Sequence, residues 1–253
     1  MWTGACAIGC AALLLAGCAA PMTRVDSAVG DSPWALQSAS PRAARSSGGW
    51  HHFAFPGKRA TRFQYAREDG RDAIAVTSSS AASMLRQDVR IEAAELGSVV
   101  FSWKVPQLIA GADMALREAD DSPVRVVLVF DGDHRRFSPR DAMLAELTRA
   151  LTGEEMPYAT LMYVWCNRTP AGTVITNPRT SRIRGLVMES GPAKLNRWLD
   201  YERNVRADYE RAFGEPPGAL VGVAIMTDTD NTMSTARAWY GPLRLRATQA
   251  AAK

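Results

Sequence analysis

From Trp50 onward the chain alternates apolar and polar residues with the period of a strand more often than with that of a helix. In Val99-Val100-Phe101-Ser102-Trp103-Lys104-Val105, the residues Val99, Phe101, Trp103 and Val105 share one face, and Val100, Ser102 and Lys104 the other. Successive side chains of a strand point to opposite faces, so this is the pattern of a half-buried antiparallel strand. Residues 61–67 and 72–79 read the same way. Residues 124–130, 161–166 and 219–226 are almost continuously apolar, as expected of central strands covered on both faces, and 239–245 supplies a last strand.

Two stretches break the alternation. Ser138-Pro139-Arg140-Asp141 offers an N-cap, a proline at the first helical position and an acid in the first turn. Met143, Leu144, Leu147 and Leu151 follow at helical spacing, and Gly153 stops them. A longer helix is predicted over 195–213, where Trp198, Val205, Tyr209 and Phe213 fall on one stripe ahead of Gly214 and Pro216-Pro217. Many short strands with only two helices predict a mainly β (α+β) fold: a jelly-roll-like antiparallel β-sandwich with two peripheral helices. Residues 49–253 are enough for one core and are expected to form a single domain.

The residues ahead of that domain differ in character. An apolar run over 5–16 is about a dozen residues long, too short to span a bilayer and the right length for a secretory signal core. It ends in Leu15-Ala16-Gly17-Cys18, which resembles the bacterial lipobox. That resemblance implies a signal peptide over 1–18, acylation of Cys18 and attachment to a membrane through the lipid. Ala19 in place of an aspartate implies delivery to the outer membrane, with the domain facing the periplasm. No Lys or Arg precedes Ala5, where such a signal is normally basic; an atypical signal and a start further upstream would each account for this. Residues 19–48 are rich in Ala, Ser, Pro, Gly and Arg and lack apolar periodicity, so a flexible tether is expected there, Trp34 included.

Charge and cysteine content remove several classes. Residues 49–253 carry 27 basic and 24 acidic side chains, a surplus too small and scattered to recommend nucleic acid as a partner. Of the four cysteines only Cys166 falls beyond the lipobox, so an intrachain disulfide in the domain is excluded, and its apolar surroundings favour a buried, inert thiol. The nucleophile elbow, the P-loop, the dinucleotide fingerprint and the HExxH zinc motif are all missing. With three histidines, of which His51 and His52 are adjacent and His134 is isolated, and one cysteine beyond the lipobox, the chain does not offer the ligand spacing of a His/Cys zinc centre.

Polar clusters remain. Thr227-Asp228-Thr229-Asp230-Asn231-Thr232 follows an apolar strand, so it emerges at the end of a rigid element. Two carboxylates and an amide so close together suit sugar hydroxyls or Ca²⁺, with Asp228 and Asp230 as candidate ligands; they equally suit an Asx-turn that satisfies its own backbone. Asp120-Asp121 is an adjacent pair of like charges that needs a cation, water or an arginine such as Arg125 or Arg203. Arg203 and Asn204, read as helical, invite a hydrogen bond either to a ligand or to a neighbouring loop. Trp103 and Trp165 sit in apolar strands and read as core, whereas Trp239-Tyr240, beside Gly241-Pro242, is the aromatic pair expected to reach a surface.

Over 50–241 the chain resembles a bacterial exported-protein family known only as domain of unknown function 3047. The resemblance rests on Phe101-Ser102-Trp103-Lys104-Val105, Asp120-Asp121, Val127-Leu128-Val129-Phe130-Asp131-Gly132 and Tyr158-Ala159-Thr160-Leu161-Met162-Tyr163-Val164-Trp165. It continues through Arg203-Asn204-Val205, Asp208-Tyr209, Phe213-Gly214-Glu215-Pro216-Pro217 and Ile225-Met226-Thr227-Asp228-Thr229-Asp230-Asn231-Thr232. It implies a family and no activity. Three readings of function stand: an envelope module that binds carbohydrate (a glycan or peptidoglycan), a structural or assembly lipoprotein that engages a protein, and a polysaccharide hydrolase or lyase with paired carboxylates such as Asp121 and Asp228. An open groove lined by Asp120, Asp121, Asp228, Asp230 and Arg203 favours the first and third; burial of those acids against arginines favours the second.

Overall fold

The computed structural model describes residues 27–38 and 49–247; the lipobox with Cys18 lies outside the described residues. Two sheets face each other. One runs, in spatial order, β1 (His51–Ala54), β4 (Ser83–Ile91), β11 (Leu220–Asp228), β6 (Ser122–Phe130), β7 (Ala159–Cys166), β9 (Ile183–Ser190) and β8 (Val174–Thr176). The other runs β10 (Trp198–Asn204), β5 (Leu96–Lys104), β12 (Thr235–Tyr240), β3 (Arg71–Ser79) and β2 (Arg62–Glu68), with β13 (Arg244–Ala247) also paired to β5. The fold is therefore a two-sheet, jelly-roll-like sandwich, and the continuously apolar strands β6, β7 and β11 are the interior ones of their sheet. One pairing departs from the antiparallel expectation: β9 lies parallel to β7, because the chain first spends β8 on the outer edge before returning.

The inward face of β5 behaves as its alternation predicts. Val99, Phe101, Trp103 and Val105 are buried, and the Phe101 ring stacks between Tyr163 of the opposite sheet at 5.2 Å and Tyr201 of β10 at 5.1 Å. Truncation of such aromatic core residues costs about 3–5 kcal/mol.

Two sequence expectations change. The helix predicted over 195–213 is a strand followed by a shorter helix, α4 (Val205–Phe213). Leu199 and Tyr201 pack on the core while Trp198, Asp200 and Glu202 alternate with them, so the segment has period 2; Trp198 fitted the helical stripe by coincidence of spacing. Asn204 is the N-cap, its side-chain oxygen accepting from the Ala207 N–H at 2.9 Å, which explains the asparagine without a ligand. The strand 239–245 is likewise two: β12 ends at Tyr240 and β13 begins at Arg244.

The tether expectation also fails for the residues described within it. Two short helices, α1 (Ser27–Gly30) and α2 (Pro33–Ser38), lie against the domain, and Trp34 is 0% exposed with its ring 4.8 Å from that of Trp50. Polar contacts fix the segment as well: Ser38 Oγ accepts from the Leu243 N–H at 3.0 Å, and Arg244 donates to the Gln37 side chain at 2.9 Å. The single aromatic residue of the stretch thus docks the segment, because it finds a pocket in a core that composition alone could not reveal. Helix α3 (Pro139–Thr152) forms as predicted, capped by Ser138 and closed by Gly153 in the left-handed region at φ 74°. Its apolar residues are not all turned inward: Met143, Leu147 and Leu151 are 70%, 53% and 66% exposed.

Candidate functional site

Topology brings the predicted acids together. β6 begins directly after Asp120-Asp121, β11 ends at Asp228, and the two strands are antiparallel neighbours with Asp228 opposite Ser122. Asp121, Asp228 and Asp230 then place one carboxylate oxygen each within 4.8 Å of one another. Their oxygens are, however, engaged by the chain itself. Arg125, buried two turns of the pleat into β6, donates through Nε to Asp228 at 2.8 Å and through Nη2 to Asp228 at 3.0 Å and Asp120 at 3.1 Å. Asp120 accepts further from Asn177 at 2.8 Å and Arg179 at 3.2 Å. Asp121 accepts from the Asn231 and Thr232 amides and the Thr232 hydroxyl at 3.2, 2.7 and 2.6 Å, and Asp230 pairs with Lys58.

The acidic end therefore has the paired-carboxylate spacing of a hydrolytic or cation site but the bonding of a structural lock. Asp120, Asp121 and Asp228 are buried, and a Ca²⁺ bound at Asp228 and Asp230 would have to displace Arg125 and Lys58. Burial pushes the Asp228 carboxyl up to about 6 against the pull of Arg125. Burial also works against the Arg125 charge, but attraction to Asp228 and Asp120 overrides it and raises its pKa. The guanidinium shared by the two buried carboxylates keeps its charge, while burial makes the Asp228 carboxylate harder to ionise than an exposed aspartate. A recess of about 210 Å³ adjoins this end, lined by Asp113, Asp121, Cys166 and Arg168 among others. Cys166 is buried and free, and burial holds its thiol up at about 12.

Arg203 does not join the acids. It grips Asp208 at 2.5 and 2.9 Å, and Asp208 also accepts from the buried Tyr163 hydroxyl at 2.9 Å, so the pair pins α4 to the sandwich. Tyr240 is no surface aromatic either: it points inward, is 1% exposed, donates to the Met226 carbonyl and accepts from the Arg125 N–H at 3.1 Å, bracing one sheet against the other. Asn231 is held by its Nδ2 to the Arg117 carbonyl at 2.9 Å.

Trp239 is the exception. Its neighbour across the ladder is Lys104 of β5, and the next strand places Trp198 opposite the same lysine. Directly opposed residues point to one face, so Trp198, Lys104 and Trp239 form a row on the outward surface of the six-stranded sheet. Both indoles are partly exposed, Lys104 between them is buried, and two strand intervals set the indoles roughly 10 Å apart. Lys104 Nζ lies 5.4 Å from the Trp239 ring centre, and Arg237 lies 5.3 Å from it. Hydrogen bonds to Asp69 and Glu68 raise the Lys104 pKa, which keeps the ammonium charged beside the ring.

Next to this row the outward face opens into a recess of about 310 Å³. Ser102, Gly241 and Pro242 line it together with Gln37, Asp72, Arg244 and the Arg71–Asp200 ion pair at 2.8 Å. Arg71 also lies 5.2 Å from the Trp198 ring centre, so one side chain joins the aromatic row to the recess. Sequence reading missed Trp198, Arg71, Ser102, Asp200 and Gly241. Only the alternation of Trp198-Leu199-Asp200-Tyr201-Glu202 carried a signal, and it was overridden by the helical stripe further on.

Fold and site together define a β-sandwich with a sealed acidic end and an outward sheet face carrying aromatic and charged side chains. The chain belongs to the family described as protein of unknown function (DUF3047), whose profile matches residues 48–244. No curated protein matches it. Among solved structures it is similar to the xyloglucanase domain of NopAA, a type three effector from Sinorhizobium fredii, at 8% identity and TM-score 0.41, over 79% of this chain and 93% of that one. It is also similar to a cellulase derived from Cel12A of Rhodothermus marinus, at 10% identity and TM-score 0.44, over 79% and 91%. A third is the family 11 carbohydrate-binding module from Clostridium thermocellum, at 8% identity and TM-score 0.36, over 79% and 91%.

Proposed function

We propose that this protein is a saccharide-binding module of the cell envelope, held to the outer membrane through Cys18, and that the sugar lies on the outward face of the six-stranded sheet. The observation that carries the reading is the in-register row Trp198–Lys104–Trp239 beside a polar recess. Indole faces suit the C–H faces of pyranose rings, and the roughly 10 Å between the strands that bear them is the scale of a disaccharide. Arg71, Asp200, Arg244, Gln37 and Ser102 supply donors and acceptors for hydroxyls, and a recess of about 310 Å³ has room for a sugar unit or two. The acids of the closed end are not part of this surface.

Calorimetric titration of the protein with envelope oligosaccharides and peptidoglycan fragments tests the reading. Trp198→Ala and Trp239→Ala are each expected to weaken binding about tenfold, the worth of one stacking contact. Asp230→Asn, at the closed end, is expected to leave the affinity unchanged. Saccharide binding untouched by both tryptophan variants would move the site elsewhere, and no binding to any saccharide would sink the reading. The anchor has its own assay: radiolabelled palmitate incorporation that persists in Cys18→Ser would remove it.

A further inference from the structure

Helix α3 presents an apolar stripe to solvent. Met143, Leu147 and Leu151 are four residues apart, advance by about 40° per step and share one flank, and each is more than half exposed. They account for three of the six exposed large apolar side chains among the described residues. The helix is held by its ends: Asp141 accepts from Thr180 at 2.5 Å and Ser181 at 2.8 Å, Arg140 donates to the Pro178 carbonyl at 3.0 Å, and Glu154 pairs with Arg86 at 3.3 Å. Its position is thus fixed while its apolar flank has no cover within the described chain.

We propose that this flank is covered by the same flank of a second copy, in a two-fold antiparallel helix pair centred on Leu147. Symmetry about that residue makes the sequence self-complementary: Leu147 meets itself, Met143 meets Leu151, and Arg140, on the same flank, meets the exposed Glu154 just beyond the helix end, each sharing its charge with the contact it keeps in its own chain, Pro178 and Arg86. Apolar residues fall on apolar residues and a cation falls on an anion, twice over. A lipid surface fits less well, because Arg135, Arg136, Arg140 and Arg149 are offset by Asp133, Glu146, Glu154 and Glu155 and give no net attraction to anionic headgroups. Three turns of helix cover much less than the ~800 Å² per partner of a standard interface, so association is weak, with a dissociation constant of ~100 µM.

The test is sedimentation velocity of the full chain carrying Cys18→Ser, so that no lipid drives association, from about 10 to about 500 µM. A monomer–dimer equilibrium is expected. Leu147→Glu should weaken it at least ~10-fold, Arg140→Glu and Glu154→Arg each several-fold, and the double charge swap should restore it. Circular dichroism of each variant checks that the fold is retained. No dimer at the highest concentration, a dimer indifferent to Leu147→Glu, or a charge swap that fails to restore a folded protein's association each overturns the proposal. So does flotation with phosphatidylcholine vesicles that Leu147→Glu abolishes, which would assign the stripe to lipid.

Discussion

Two regions of this sandwich are rich in charge, and they use it differently. At the acidic end, four carboxylates meet Arg125, Arg179, Lys58, backbone amides and hydroxyls, and nearly every oxygen has an internal donor. On the outward face of the six-stranded sheet, Lys104 and Arg71 also have internal acids, yet each lies beside an indole that stays partly exposed, and Arg71 lines the adjoining recess. The acidic end looks more like chemistry in the sequence, because its residues are adjacent along the chain. The sheet face looks like nothing there, because its residues are contributed by separate strands. Charge density marks where desolvation must be compensated; aromatic surface that keeps some exposure beside polar groups marks where a ligand can gain.

The largest expected effect separates the two directly. Arg125→Met leaves Asp120 and Asp228 buried without their cation and should cost about 3–5 kcal/mol in a denaturant titration. Adding Asp120→Asn and Asp228→Asn should recover much of the loss, since it is the uncompensated charge and not the missing contact that destabilises. An Arg125→Met protein as stable as the parent would mean the acidic end is not a closed structural unit, and the comparison would collapse.

A smaller effect reads the same lock through pH. The folded chain holds a proton on Asp228 up to about pH 6, whereas an ordinary aspartate releases it near 3.8. Between those values the folded state binds the extra proton, so this group's contribution to stability is largest at the acid side and falls as pH rises toward 6. The difference in unfolding free energy between parent and Asp228→Asn should therefore change by on the order of 2 kcal/mol across that window. Asp141 and Glu215 have the opposite sign. Burial raises them but is outweighed by hydrogen bonds, from Thr180, Ser181 and Ser138 to Asp141 and from Arg182 and Tyr158 to Glu215. They are common to both proteins and cancel in the difference. A flat difference would place the surplus proton elsewhere.

Much of the scaffold was legible along the chain, and the reasons for the failures are physical. Strands such as β5, β6 and β11 announce themselves because one or both faces are buried and apolar. The α3 caps were readable because capping is local, whereas the outward turn of its apolar residues depends on what stands opposite. Residues 198–204 mislead a periodicity reading because a strand runs straight into a helix with no glycine or proline between them, and the boundary, Asn204, is marked only by its suitability as an N-cap. The meeting of Asp120-Asp121 with Asp228 needed the β6–β11 pairing, and the row of Trp198, Lys104 and Trp239 needed three strands in register, neither of which periodicity encodes.

The smallest expected effect tests how open the sheet face is. Gly241 lies against Ser102, and a methyl group added there would sit 2.0 Å from Ser102 Oγ and 3.7 Å from the Trp198 ring. The obstacle is the end of a short side chain that can turn aside, so Gly241→Ala should cost only ~1 kcal/mol, at the low end of overpacking. Ser102→Ala in the same chain should return most of it by removing the colliding hydroxyl. Binding is expected to respond differently: the methyl narrows the recess beside Trp198, so saccharide affinity should stay reduced in the double variant even as stability recovers. Parallel recovery of both would mean the recess contributes nothing beyond the fold, leaving the two indoles as the whole of the open region.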